Sequence, residues 1–339
     1  MIDLKDRFKI KSKEENQYTS TGIKFWRHPR AMNAYRAGKS DSIISTHISP
    51  EGHCNLNCPY CSVSKRKVNN RIELDAIKKY VQTLKKYGLK AVILTGGGEP
   101  TLYPKFNELV QWIVDQNLSI ALITNGTNID RVNPDLWKYF SWVRVSLNFF
   151  DGYRDKIKFP KIDGILGASM VFIGQSVEEM QSLSEFVPPE VKYIRVLPNC
   201  LHEQETLIRE HEKIAEILEQ VGDSRFFQQF KIHRTPQAHI CHQAYFRPYL
   251  SEVNGGTVFP CDSLVLNDAK AHFSESYAIC SIDEVEDFLQ RKISMKFDPT
   301  IDCNGCVFAD NINMLDSWLK YGVNQFDKFP EALTHEEFV

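Results

Sequence analysis

The sequence predicts an α/β fold: a partial (β/α)6 TIM-like barrel followed by a smaller C-terminal unit. Three observations predict it. Short apolar runs alternate with amphipathic stretches between residues 43 and 222. The runs are apolar almost throughout, as in parallel strands that are buried on both faces. Six such units are too few to close an eight-stranded barrel, and the 339 residues leave room for a second unit.

The predicted strands are short, rich in β-branched residues and bounded by Gly, Asn or Pro. They comprise residues 43–49, 91–96, 119–126, 142–148, 167–174 and 193–199. Apolar positions at helical spacing predict helices at residues 73–88, 104–117, 177–187 and 203–222. Among the crossovers between strands, only residues 151–159, after the fourth strand, show a weak helical pattern. Strands that alternate with helices in this order predict a parallel sheet.

The same patterns divide the chain into three parts. Residues 1–42 form an N-terminal extension rich in Lys, Arg and aromatic side chains, and residues 43–224 form the barrel. Residues 225–339 form the second unit, which holds five of the nine cysteines. In this unit, residues 247–260 predict a hairpin around Asn254-Gly255, and residues 311–322 predict a helix.

Composition excludes several classes of function. Hydrophobic residues at 42% and charged residues at 25% are typical of folded globular proteins. The formal charge of -2 provides no global field for a polyanion, so a nucleic-acid partner is not expected. No apolar stretch approaches the roughly 20 residues that span a bilayer, and the N-terminus has no signal-peptide core. We therefore expect a cytoplasmic protein without a membrane partner.

Three cysteines follow the first predicted strand directly. Cys54, Cys58 and Cys61 have the spacing C-x-x-x-C-x-x-C. In a reducing compartment such cysteines point to metal binding or catalysis rather than disulfides. Three thiolates can hold a 4Fe-4S cluster and leave one iron open to a ligand. The alternatives are a zinc site with His53 as the fourth ligand, or three buried cysteines.

Three later strand ends carry small or polar residues. Gly96-Gly97-Gly98-Glu99-Pro100 ends the second strand, Thr124-Asn125-Gly126 ends the third, and Ser146-Leu147-Asn148 ends the fourth. The carboxyl ends of parallel strands meet at one edge of the sheet, which is where ligands bind. Glycines there let the backbone approach a bound ligand closely.

In this order, the motifs resemble those of the radical S-adenosylmethionine (SAM) enzymes, over residues 43 to about 200. The resemblance implies a SAM-binding 4Fe-4S cluster on Cys54, Cys58 and Cys61, with an aromatic residue before the last cysteine. It also implies that Glu99 receives the ammonium group of SAM, and that Leu197 contacts the adenine. The full set of implied cofactor contacts is Tyr60, Gly96, Gly97, Gly98, Glu99, Thr124, Asn125, Ser146, Asn148 and Leu197.

The activity that the resemblance implies is reductive cleavage of SAM to a 5'-deoxyadenosyl radical, which then takes a hydrogen atom from an organic substrate. A flavodoxin or ferredoxin is the expected reducing partner. A small molecule such as a sugar, nucleoside or metabolite is favoured, because no peptide-recruiting winged helix is apparent in the first 40 residues. The alternatives are a peptide- or protein-modifying maturase and a non-catalytic iron-sulfur electron-transfer protein. The last of these leaves the glycine motif unexplained.

A second cysteine set lies in the C-terminal unit. Fourteen residues separate Cys241 from Gly256, four more precede Cys261, and Cys303 and Cys306 form a C-x-x-C pair. The first half resembles the opening of the SPASM extension of radical SAM enzymes, but no longer cysteine series follows. This implies a truncated, twitch-like iron-sulfur domain with one auxiliary 4Fe-4S cluster. A zinc site on the same four cysteines is the alternative.

Two cysteines remain, and one of them has a candidate role. Cys280 is read as a small buried hydrophobe. Cys200 follows the sixth strand near the predicted mouth of the barrel. In some radical SAM enzymes a thiol returns a hydrogen atom to the substrate radical, which gives epimerisation. On the sixth strand itself, Arg195 is a candidate to face the interior and bind an anionic substrate, or to form a structural ion pair.

Overall fold

We describe the protein from a computed structural model, which covers residues 12–63, 69–147, 152, 154–263, 276–303, 305–322, 326 and 333–339. Asn148, one of the predicted cofactor contacts, lies outside the described residues. In the part of the chain that is described, no helix has both the length and the apolar character needed to cross a bilayer.

The six predicted strands are present and pair side by side in chain order, all parallel. They are β1 (Ser45–Ile48), β2 (Ala91–Leu94), β3 (Ser119–Thr124), β4 (Phe140–Ser146), β5 (Ile165–Val171) and β6 (Tyr193–Leu197). Their residues are almost all buried, as expected for strands covered on both faces. The prediction of an α/β partial barrel is confirmed.

The sheet continues beyond these strands on both sides. A seventh strand, β7 (Phe226–Gln228), pairs in parallel with β6. On the other side β8 (Tyr249–Ser251) pairs in parallel with β1, and β9 (Thr257–Phe259) and β10 (Cys280–Ser281) follow antiparallel. The β8–β9 pair is the predicted hairpin around Asn254-Gly255. The sheet order, β10-β9-β8-β1-β2-β3-β4-β5-β6-β7, leaves the barrel open.

Helices cross between the strands at the predicted places. They are α3 (Leu74–Lys86), α4 (Phe106–Asp115), α5 (Val177–Phe186) and α6 (Gln204–Val221), after α1 (Lys13–Tyr18) and α2 (Pro29–Arg36) in the N-terminal extension. A capping box between Ser176 and Glu179 begins α5, and Gly222, with φ of 70°, ends α6. Later come α7 (Val285–Leu289), α8 (Pro299–Asp302) and α9 (Ala309–Tyr321).

Both ends of the described chain line the barrel interior. Tyr18 stacks on Tyr193 of β6 with ring centroids 4.3 Å apart. The buried Phe338 packs edge-on against Trp142 of β4 at 5.5 Å, near the first residues of β2 and β3. Lys24 donates a hydrogen bond to the carbonyl of His335 and so joins the two ends. The interior is therefore closed at the amino ends of the strands and is open toward their carboxyl ends.

Candidate active site

The first three cysteines lie together in the loop after β1. Cys54, Cys58 and Cys61 are all half-buried, and the Cys61 amide donates to the Cys58 carbonyl. Burial, together with the charges of the neighbouring Cys61 and Cys54, raises the pKa of Cys58 to about 12. A bound metal centre would stabilise these three thiols as thiolates and offset their mutual repulsion.

The glycine motif after β2 lies directly against the cysteine loop. The Gly97 amide donates to Ser49 Oγ at 2.7 Å, and the Gly98 amide donates to the Glu51 carbonyl at 2.9 Å. A Cβ on Gly98 would stand 2.1 Å from the His53 carbonyl oxygen, which is inside van der Waals contact. This glycine is therefore required by the approach of two protein loops. The expected contact of Gly98 with a bound ligand stays a prediction.

Glu99 ties the glycine motif to the end of β3. Its buried carboxylate accepts hydrogen bonds from the Thr124 hydroxyl at 2.6 Å and from the Asn125 amide at 2.7 Å. It also accepts two from Thr101, through the hydroxyl and the amide. Burial raises the pKa of Glu99, and these donors oppose the rise. The predicted contact of Glu99 with the SAM ammonium stays a prediction. In the structure its hydrogen bonds join the end of β2 to the end of β3.

We predict that Glu99→Gln destabilises the protein by about 1–3 kcal/mol, because an amide NH2 would replace one of the two carboxylate oxygens that together accept from four donors, and would leave at least one buried donor without an acceptor. Urea unfolding of the anaerobically purified protein measures the change. Glu108→Gln is the matched control, since Glu108 is exposed on α4 and, among the described residues, pairs only with Lys78 at the surface. Equal stability of the two variants would contradict the structural role given to Glu99.

The end of β3 also reaches the cysteines. Asn125 Nδ2 lies 3.8 Å from Cys54 Sγ and donates to Asn55 Oδ1 at 3.0 Å. The first three motifs that were predicted separately are therefore in mutual contact. Ser146 ends β4, where it pairs in register with Ser169 of β5. No direct contact joins Ser146 to the cysteine loop among the hydrogen bonds of the described residues.

A cavity of about 310 Å³ fills the barrel interior below these loops. Tyr60 of the cysteine loop, Leu197 at the end of β6 and Cys200 just beyond it all line this cavity. The predicted hydrogen donor and the predicted adenine contact therefore share a chamber with the cysteine loop. The sequence reasoning missed most of the basic residues in the cavity lining. Lys24, Lys231 and Arg247 carried no recognisable motif.

The second set of cysteines converges from three separate places in the chain. Cys241, Cys261, Cys303 and Cys306 line one small cavity, and all four belong to a single apolar cluster. Burial raises the pKa of Cys306 to about 11 and that of Cys241 well above its usual range. Val307 and Phe308 separate this cavity from the barrel interior and line both. Four thiols around one apolar cavity suit a fully ligated 4Fe-4S cluster.

The histidines beside Cys241 have other partners. His242 lies 2.9 Å from the Tyr35 hydroxyl, and His239 pairs with Asp298 at 2.7 Å. Within the described ranges, no three His, Cys, Asp or Glu side chains converge closely enough to hold a single metal ion. In a 4Fe-4S cluster each thiolate binds a different iron, so its ligands stand further apart than those of a lone ion. Both cysteine sets fit such a cluster by donor chemistry and by grouping.

Comparisons with known proteins agree with this geometry. Residues 48–186 match the radical SAM superfamily, so the chain contains a radical SAM domain. The neomycin C epimerase of Streptomyces fradiae is 29% identical over 177 residues, which cover 46% of this chain and 52% of the epimerase. A SAM-dependent nucleotide dehydratase of Selenomonas ruminantium is 31% identical over 108 residues, which cover 31% of this chain and 38% of the dehydratase. These homologues are enzymes. The chain spans about half the length of the epimerase and a smaller share of the dehydratase.

A solved structure shows the same fold. Streptococcus suis SuiB bound to S-adenosylmethionine superposes with a TM-score of 0.50 at 17% sequence identity. The match covers 73% of this chain and 68% of SuiB. At this level of identity the likeness concerns the fold alone.

Proposed function

We propose that this protein is a radical SAM enzyme that cleaves SAM reductively and takes a hydrogen atom from an organic substrate held in the barrel cavity. The observation that carries the proposal is the contact among three motifs: the cysteine loop, the glycine loop and the end of β3. When bound by Cys54, Cys58 and Cys61, a 4Fe-4S cluster supplies the electron that divides SAM into methionine and a 5'-deoxyadenosyl radical.

The chain's own residues orient the reactants and exclude water. The Glu99 network fixes the strand ends around the predicted SAM contacts, and Tyr60 and Leu197 present apolar surface at the top of the cavity. Phe338 and Trp142 close its lower end. A radical formed in this chamber meets side chains and substrate before it meets solvent.

A small substrate suits this chamber better than a peptide. A cavity of about 310 Å³, closed at one end by packed aromatic rings, is of the size that holds small ligands. The names of the epimerase and dehydratase relatives also refer to small molecules. Peptide modification is the alternative, supported by the fold neighbour SuiB, which has been solved bound to its precursor peptide SuiA.

The second cysteine set supports an auxiliary cluster in a truncated, twitch-like SPASM domain. Its cavity adjoins the barrel cavity across Val307 and Phe308, within reach for electron exchange with a bound substrate. We propose a flavodoxin or ferredoxin as the electron source and the cytoplasm as the compartment, since both cysteine sets must stay reduced and unpaired.

Anaerobic reduction of the wild type with dithionite in the presence of SAM tests the main proposal. We expect release of 5'-deoxyadenosine and methionine in equal amounts. Binding of iron without any cleavage of SAM would favour a non-catalytic electron-transfer protein instead.

Cys200 carries a second proposal, epimerisation. Burial raises the pKa of the Cys200 thiol, so it keeps its hydrogen near neutral pH, and it lines the cavity. A substrate radical that takes this hydrogen atom leaves a thiyl radical, which one electron from the reducing partner and one proton return to the thiol.

We predict that product formed in D2O gains one non-exchangeable deuterium with the wild type. With Cys200→Ala we expect incorporation to fall by about ten-fold or more, as for loss of a positioned hydrogen donor. Mass spectrometry of the product measures it. Cys280→Ala is the control, because Cys280 is buried on β10 and does not line the cavity. Equal incorporation by the Cys200 and Cys280 variants would exclude the donor role.

A further inference from the structure

His233 connects Cys200 to the second set of cysteines. It lies in the irregular segment after β7, and its Nε2 is 2.9 Å from the carbonyl oxygen of Cys200. A carbonyl oxygen only accepts hydrogen bonds, so Nε2 carries the proton and donates it. One end of this imidazole ring therefore holds the main chain of the residue to which we assign hydrogen return.

The other end of the ring lies against the C-x-x-C pair of the second set. A Cβ on Gly305 would stand 3.2 Å from His233 Nδ1 and 3.3 Å from its Cγ. Gly305, with φ of 86°, lies between Cys303 and Cys306. A glycine with this backbone conformation lets the imidazole rest directly on the main chain. The ring is thus packed on the loop that joins two of the predicted ligands.

The main chain makes the same connection. Arg234, the next residue after His233, exchanges two backbone hydrogen bonds with Cys306, at 3.3 Å and 3.0 Å. The Arg234 side chain also pairs with Asp310 of α9 at 2.7 Å. The segment that carries His233 is therefore attached to the ligand loop by backbone bonds as well as by the ring contact, so a shift of Cys306 would move His233.

The Cys200 loop has weaker ties to the rest of the chain. The Asn199 amide donates to Glu210 of α6 at 3.1 Å, and the Cys200 thiol donates to the nearby Pro198 carbonyl at 3.7 Å. Among the described residues, the bond from His233 is the one that joins the main chain of Cys200 itself to another segment. The position of the thiol in the cavity should therefore depend on His233.

We propose that His233 is a positioning residue for the Cys200 thiol, and that metal binding at the auxiliary site holds His233 in place. The inference rests on the proposed function, because it concerns the hydrogen donor of that enzyme. A metal centre bound to Cys303 and Cys306 fixes Gly305 between them, and His233 and Cys200 are fixed in turn. A hydrogen donor acts only when it is held within reach of the reacting carbon. The second cysteine set thus supports hydrogen return through geometry.

Alkylation of Cys200 by iodoacetamide under anaerobic conditions, without SAM or reductant, tests the contact with His233. Peptide mass spectrometry measures the rate at Cys200 alone. We expect His233→Leu to raise this rate about three- to ten-fold, because loss of one hydrogen bond frees the loop. His233→Gln should restore a rate near that of the wild type, since its amide N–H can donate to the same carbonyl. His239→Leu is the matched control, because His239 is exposed and pairs with Asp298.

The same assay tests the link to the metal site. Cys303→Ala, which empties the auxiliary site, should raise the Cys200 rate about as much as His233→Leu does. Cys58→Ala, which empties the other site, should leave the rate unchanged. The double variant of His233 and Cys303 should react no faster than the faster single variant, because both changes act through one contact. Circular dichroism and metal content identify a variant that fails to fold, and Cys261→Ala then empties the auxiliary site from another segment.

Three results would overturn the proposal. They are equal rates in His233→Leu and His239→Leu, a wild-type rate in folded Cys303→Ala that has lost its auxiliary metal, and rate increases that multiply in the double variant. The assay involves no SAM cleavage. If Cys200 shows the expected rates and 5'-deoxyadenosine never forms, the proposed function alone is refuted. If 5'-deoxyadenosine forms and the Cys200 rate ignores His233, only the positioning role is refuted.

Discussion

Cys58→Ala is expected to abolish formation of 5'-deoxyadenosine and to lower the iron content from about eight to about four atoms per chain. The physical reason is that Cys58 lies between two other half-buried thiols in one loop, and two remaining thiolates hold a cluster poorly. The loop's backbone bonds to the glycine motif do not involve the Cys58 side chain, so the chain should still fold. Iron assay and chromatography of the reaction mixture, both anaerobic, measure the two effects.

Cys280→Ala is the matched control for this experiment. Cys280 is also a free, buried cysteine, but it lies on β10 and packs in the main apolar core. We expect it to keep about eight irons per chain and the full yield of 5'-deoxyadenosine. Normal 5'-deoxyadenosine from Cys58→Ala would overturn the assignment of the cysteine loop.

The second large effect is expected from Cys303→Ala. This variant should lose about four irons per chain from the auxiliary site while the first site keeps its own. It should also lower the melting temperature, because metal binding to four converging thiols is coupled to the folding of the segments that carry them. The four cysteines come from three separate segments of the chain and share one apolar cluster, so the site joins those segments.

Metal analysis of the same variant distinguishes a 4Fe-4S cluster from a zinc ion at the second set of cysteines. With zinc in place of a cluster, the wild type would contain about four irons and one zinc, and Cys303→Ala would lose the zinc alone. An unchanged iron and zinc content in Cys303→Ala would remove Cys303 from any metal site. Cys280→Ala again provides the baseline for the loss of one buried thiol.

Sequence alone predicted the parts of the fold that depend on local pattern. The six parallel strands and four crossover helices follow from apolar periodicity and from punctuation by Gly, Asn and Pro, and each was found near its predicted bounds. Strand β7 was missed because three residues are too few to show a strand pattern, and Phe226 follows closely on the end of α6 at Gly222. The pairing of β8 with β1 could not be predicted from the sequence either, because residues about 200 positions apart meet only through the tertiary fold.

The candidate site also has features that the sequence predicts and features that it does not. The convergence of Cys54, Glu99 and Asn125 was predictable because the carboxyl ends of parallel strands share one edge. The hydrogen bonds of Glu99 to Thr124 and Asn125 were not predictable. A carboxylate can accept from its own protein or from a ligand, and the sequence does not distinguish these two cases. The basic cavity shows the same limit. Arg195 was a candidate because it alternates with apolar residues in a strand, while Lys231 and Arg247 reach the cavity from irregular segments.

The most direct test of the central claim is electron paramagnetic resonance of the dithionite-reduced protein with and without SAM. If Cys54, Cys58 and Cys61 hold a cluster with an open iron beside the predicted SAM contacts, adding SAM changes the signal of that cluster in the wild type. The signal that remains in Cys58→Ala, from the auxiliary site, should not respond. Identical spectra of the wild type with and without SAM would contradict the account.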